Sequence, residues 1–162
     1  MGMPMLRGDE SSEEIVVIAY GMEHGLGSLY KTMAGAVDER EVKELFVKLS
    51  GIEEKHKERL FSIYLDLDKS VPDREAFESK IVSDVMEGGF TTEEFLSRNK
   101  EAMRTIPGLL DIAMMLETQA LDLYLRYSQK IGDDKSRSIL FDIAEQEKAH
   151  LSSLGRLMEH ER

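Results

Sequence analysis

The sequence contains no cysteine. That excludes structural disulfides, a thiol nucleophile, iron–sulfur clusters and cysteine-ligated zinc or iron, and it fits a reducing, cytoplasmic setting. Proline is scarce as well. Only Pro4, Pro72 and Pro107 occur in 162 residues, so long unbroken helices are allowed between them. Basic residues are outnumbered, 21 against 32 acidic, for a formal net charge of −11. This balance disfavours nucleic acid or an anionic membrane as the main partner, because both require a basic surface. No apolar run approaches the ~20 residues of a membrane span. Residues 1–7 lack the apolar core of a signal peptide, and Leu6 stands where a myristoylation motif needs Ser or Thr.

What is present suits one soluble, helix-rich domain: 41% hydrophobic and 33% charged residues in a chain long enough to bury a substantial core. After a flexible tail over 1–10, Ser11-Ser12-Glu13-Glu14 offers hydroxyl caps followed by acids at the positive end of a helix. A first helix is expected from there to about Val37, with Val16, Ala19, Tyr20, Leu26 and Tyr30 on its apolar face. Asp38 is the expected cap of a second, which carries Leu45, Phe46, Leu49, Ile52, Leu60, Ile63 and Tyr64 and ends near Lys69. Thirty residues of helix reach about 45 Å, enough to line a bundle from end to end.

The stretch 70–107 differs. Val71-Pro72-Asp73 should open a shorter helix to about Glu87, Gly88-Gly89 should stop it, and Thr91-Thr92-Glu93-Glu94 should start another. Pro107-Gly108 closes the segment. It is too long for a hairpin turn and suits a connection that carries the chain from one end of a bundle to the other. A third long helix follows to Lys130, stopped at Ile131-Gly132, and a fourth runs from Asp133 or Asp134 to about Glu159. The expected fold is therefore all-α: a four-helix bundle within 11–162, made of hairpins 11–69 and 108–160 joined by a helical crossover.

One polar pattern occurs twice. Glu23, Tyr30, Glu53 and His56 recur 94 positions later as Glu117, Tyr124, Glu147 and His150. Apolar residues share the offset, among them Leu29 with Leu123, Leu45 with Ile139, Leu49 with Ile143 and Leu60 with Leu154. Any two amphipathic hairpins share apolar periodicity, but periodicity does not supply the same Glu, Tyr, Glu and His. The repeat reads as an internal duplication.

Residues three apart on a helix share a face, so each Glu-x-x-His offers an oxygen and a nitrogen to one small region. Glu23 and Glu117 are expected mid-helix at the edge of otherwise apolar faces (Met22 and Leu26; Met115 and Leu116), where a lone buried carboxylate is costly unless protonated, paired or metal-bound. One Glu from each of two helices plus Glu-x-x-His from each of the other two is the di-metal carboxylate pattern of ferritin-like bundles. Such mixed oxygen and imidazole donors suit iron or manganese, with zinc an alternative occupant. Either Glu53 and Glu147 or Glu23 and Glu117 could bridge two ions. A single Glu-x-x-His is weak evidence, since both residues are common on exposed faces; two of them at a fixed distance after a mid-helix Glu are much stronger. Tyr30 and Tyr124 lie two turns after their glutamates, within ~20° of the same face. There they could donate to ligand carboxylates, or be half-buried tyrosines reaching solvent.

Other candidates read as ordinary. His24 points ~100° away from Glu23, toward surface or interface. His160 lies in a charged tail, Asp66-Leu-Asp68 lacks the glycine and terminal glutamate of a calcium loop, and the methionines, Met114-Met115 included, read as core filler.

The stretches 20–30, 51–60, 116–124 and 144–151 resemble the rubrerythrin branch of the ferritin-like superfamily. The resemblance implies a non-haem diiron protein with Glu23, Glu53, His56, Glu117, Glu147 and His150 as ligands, reducing peroxide or dioxygen. It also marks two departures. The four cysteines of the rubredoxin domain are missing, which implies that electrons come from a separate donor protein. An extra glutamate one turn beyond the third-helix ligand is replaced by Ala120, which leaves six symmetric ligands and favours, as a second reading, a non-enzymatic iron-handling protein. A helical scaffold acting through partners is a third. Two hairpins that each supply half a site could also be exchanged between chains, so a homodimer is expected.

Overall fold

The computed structural model describes residues 9–69, 73–84 and 97–161, with side chains of 80–84 left aside. Among these residues it is all helical: α1 (Ser12–Ala36), α2 (Arg40–Leu67), α3 (Arg74–Asp84), a single 3-10 turn (Ala102–Arg104), α4 (Ile106–Lys130) and α5 (Asp134–His160). Residues 1–8 of the expected tail over 1–10, the Val71-Pro72 opening, the Gly88-Gly89 stop and the helix start at Thr91 lie outside the described residues.

Local chemistry explains most helix ends. Ser11 caps α1 by accepting from the Glu14 N–H, while Glu14 Oε1 accepts from the Ser11 N–H, a complete capping box. Thr105 and Asp133 cap α4 and α5 with their side chains alone, accepting from the N–H groups of Gly108 and Ser136. Two expectations fail. The residue preceding α2 is Glu39, not Asp38, and no side chain caps that helix. Nor is Gly132 a left-handed stop: α4 leaves through Ile131 in extended backbone, whose N–H still bonds the Tyr127 carbonyl. Ile131 is fully buried, so packing of that side chain ends the helix without glycine's conformational freedom. Pro107 and Gly108 belong to the first turn of α4. A Cβ at 108 would lie 1.7 Å from the Ala102 carbonyl oxygen, so only glycine lets the 3-10 turn fold back onto α4.

Cross-bundle pairs fix the directions. Tyr30 meets Glu117 and Tyr124 meets Glu23, so α1 and α4 are antiparallel. His56 meets Gln146, Arg59 meets Asp142 and Asp66 meets Lys135, so α2 and α5 are antiparallel too. Since α1 and α2 form an antiparallel hairpin, α4 runs parallel to α2. The end of α2 and the start of α4 therefore lie at opposite ends of the bundle, roughly 40 Å apart at 1.5 Å per residue of α2. One core of buried apolar residues fills the interior, with Tyr20, Tyr30, Phe46, Tyr124 and Tyr127 among its largest members. The crossover begins by docking on the hairpin. Phe77 of α3 packs edge-on against Tyr20 at 5.0 Å and against Phe61 and Tyr64 at 5.3 and 4.5 Å. No described helix is long and apolar enough to cross a membrane.

Candidate metal centre

Glu23, Glu53, Glu117 and Glu147 are completely buried, and His56 and His150 are 1% and 5% exposed. Each sits mid-helix and faces inward for the same reason: it occupies the apolar stripe at helical spacing, flanked by Leu26 on α1, Leu49 and Leu60 on α2, Leu116 and Leu123 on α4, and Ile143 and Leu154 on α5. Glu23 and Glu117 are thus inside the core, not at the edge of an apolar face, and Met115, expected in that face, is 39% exposed.

The six side chains converge as two overlapping sets. Glu23, Glu53, His56 and Glu147 each offer one donor atom, all within 4.8 Å of one another; so do Glu53, Glu117, Glu147 and His150. Glu53 and Glu147 belong to both sets, whereas Glu23–His56 and Glu117–His150 stand on opposite sides. The two imidazoles stack at 6.0 Å with their planes 20° apart. Both turn Nδ1 inward. His56 Nδ1 is 3.1 Å from Glu147, 3.4 Å from Glu23 and 3.5 Å from Glu53; His150 Nδ1 is 3.4 Å from Glu117 and 3.5 Å from Glu53 and Glu147.

Among the described residues, both oxygens of Glu53 and Glu147, one of Glu117 and Nδ1 of His150 have no hydrogen-bond partner. Buried carboxylate oxygens cost several kcal/mol when nothing compensates them. Four carboxylates and two imidazole nitrogens in this arrangement fit two divalent cations, whose four positive charges would balance the four negative ones.

The electrostatics reflect this crowding. Burial pushes the Glu23 carboxyl up, against the pull of His56. Burial would also raise Glu147, but the His150 and His56 imidazoles beside it hold it below the ordinary range. The His56 imidazole, which burial alone would lower, is raised to about 10 by the Glu23 and Glu147 carboxylates.

The tyrosines reach across the bundle. Tyr30 of α1 donates to Glu117 Oε1 at 2.6 Å, and Tyr124 of α4 donates to Glu23 Oε1 at 2.5 Å. Each half thus holds the other half's carboxylate, not the glutamate two turns away on its own helix. Burial raises both phenols well above their usual range, so they remain donors.

Sequence reasoning missed two neighbours. Gln146 Oε1 lies 2.6 Å from His56 Nε2 and accepts its proton, which leaves Nδ1 to face the cluster. Its repeat counterpart is Ile52, so the duplication hides it. Tyr20, read as apolar, donates to Glu78 at 2.5 Å and accepts from Arg74 at 3.0 Å; burial and Glu78 push it to about 12. His24 stays out of the cluster, half-buried, with Nδ1 accepting from Lys57 at 3.2 Å. His160 is exposed.

Two solved structures share this architecture. A hypothetical protein from Pyrococcus furiosus superposes with a TM-score of 0.72 at 20% identity, over 98% of this chain and 95% of that one. A protein from Thermotoga maritima described as a ferritin-like diiron-carboxylate protein superposes at 0.69 and 20% identity, over 94% and 97%. Among curated proteins, none matches. The bundle is ferritin-like, and residues 14–158 match the rubrerythrin family, to which the chain therefore belongs.

Proposed function

We propose that the six residues bind two metal ions, iron in the cell, and that the protein is an oxidoreductase reducing peroxide or dioxygen with electrons from a separate donor. The observation that carries this reading is the pair of overlapping donor sets, in which Glu53 and Glu147 are common to both and their oxygens have no hydrogen-bond partner among the described residues. When bound, a ferrous pair supplies two electrons and a Lewis-acidic face for an O–O unit.

The chain's residues do the rest. Glu53 and Glu147, common to both donor sets, would hold the ions together with Glu23 and His56 on one side and Glu117 and His150 on the other. Tyr30 and Tyr124 orient the outer carboxylates, Gln146 selects the His56 tautomer, and the apolar helices exclude water. A second reading, metal handling without turnover, draws on Ala120. It is fully buried one turn beyond Glu117, where it brings no further carboxylate to the cluster.

Metal analysis of protein purified without oxygen should find two ions per chain. Glu53→Ala or Glu147→Ala should abolish stoichiometric binding, and variants still holding two would overturn the assignment. Peroxide consumption by the iron-loaded protein separates the readings: two bound ions with an inert response would leave metal handling.

A further inference from the structure

The two sides of the cluster differ in what lies outside them. A cleft of about 560 Å³ opens between α1 and α2. Its inner end abuts Glu23, and it passes Gly27, Ser28 and Gly51 toward Ala34 and Val47. The glycines make this opening. Gly27 packs directly against the cluster, since a Cβ there would touch the Glu53 Cβ at 3.6 Å. A Cβ at 51 would meet nothing within 4 Å. The duplication does not reproduce these residues: the positions matching Gly27, Ser28 and Gly51 hold Leu121, Asp122 and Glu145. The centre is symmetric in its ligands and asymmetric in its surroundings.

We infer that this cleft binds an organic hydroperoxide, which approaches the centre from the Glu23–His56 side. The inference rests on the proposed function and names its substrate class. Size supports it. The volume falls within the ~300–1,000 Å³ typical of small-molecule sites, and hydrogen peroxide, on the order of two waters in size, would leave most of it empty. The lining mixes apolar and polar groups. Ala34 and Val47 can flank an apolar body, the Lys57 ammonium is matched by Glu54 and Glu78 at 3.5 Å each, and the remaining cation, Lys31, is exposed to solvent. The peroxy end then lies toward Glu23. Reduction would break the O–O bond and take up two electrons, which a bound ferrous pair would supply in becoming diferric, and two solvent protons, leaving an alcohol and water.

The test uses a redox-inert probe, cumyl alcohol, the alcohol formed from cumene hydroperoxide. Titrated into the full-length 15N-labelled protein, it should shift the amides of residues 27, 28 and 51 saturably. Gly51→Phe and Ser28→Leu, which fill the cleft, should each weaken binding about tenfold or more with helical circular dichroism intact. Glu145→Phe, adding the same bulk at the repeat-related position, should bind like the parent. Absence of saturable shifts, or unchanged binding in both cleft-filling variants, would sink the inference, as would an equal loss in Glu145→Phe. If the iron-loaded protein consumes peroxide but cumyl alcohol does not bind, the cleft assignment alone fails. Binding without metal uptake would overturn the hydroperoxide assignment together with the proposed function.

Discussion

At the scale of single residues, the centre is a set of buried charges held by hydrogen bonds from the opposite hairpin. Tyr124→Phe removes the donor to Glu23 Oε1 and leaves a buried carboxylate oxygen unmatched. Metal affinity should fall about 10- to 100-fold, read by competition with a chromophoric chelator. Unchanged affinity would show that the phenol merely fills space. Glu, Tyr, Glu and His at matched positions were legible in the sequence because amphipathic periodicity alone does not supply the same polar residues twice. The direction of the tyrosine bonds was not, because helix periodicity places a residue on a face without saying which helix it meets. His56 makes a pH prediction for the metal-free protein. Its folded value, about 10, lies above the ordinary 6.5. The folded state therefore binds the proton more tightly, and this contribution is fully present below 6.5 and lost as pH rises through about 10. Urea midpoints of chelator-treated protein should decline across that interval, and His56→Ala should flatten the decline. Midpoints rising across it would contradict the electrostatic picture.

At the scale of elements, helices were easier to read than their ends. The amphipathic stripes of α1, α2, α4 and α5 follow from periodicity. By contrast, the Ile131 exit from α4 and the fold-back of the 3-10 turn over Gly108 depend on what packs against them. The docking of α3 was invisible for the same reason: Phe77 meets Tyr20, Phe61 and Tyr64, residues distant in sequence. Phe77 is 4% exposed, so Phe77→Ala should cost about 3 kcal/mol or more of local packing. Because α3 lies outside the four-helix core, the loss should be regional. Hydrogen exchange should accelerate over residues 74–79 while α4 and α5 keep their protection. Uniform acceleration throughout the bundle would show that α3 is integral to the cooperative unit.

At the scale of the whole molecule, the internal duplication made the architecture readable, and departures from it hid the rest. Gln146 opposite Ile52, and Gly27 and Gly51 opposite Leu121 and Glu145, create the asymmetry that a reading based on the repeat passes over. Both hairpins contribute two glutamates and a histidine to one point, so a metal pair bound there ties α1 and α2 to α4 and α5. The unfolded chain has no such point, which couples binding to folding. Metal at about a thousand times its dissociation constant should add roughly 4 kcal/mol. For a chain of this size that corresponds to a rise in Tm of about 8–16 °C. Calorimetry before and after chelation should show the rise and its reversal, and a Glu53→Ala/Glu147→Ala double variant should show neither. A metal-dependent rise that survives in the double variant would place the stabilising ion on the acidic surface, and the two hairpins would then be held together by their apolar core alone.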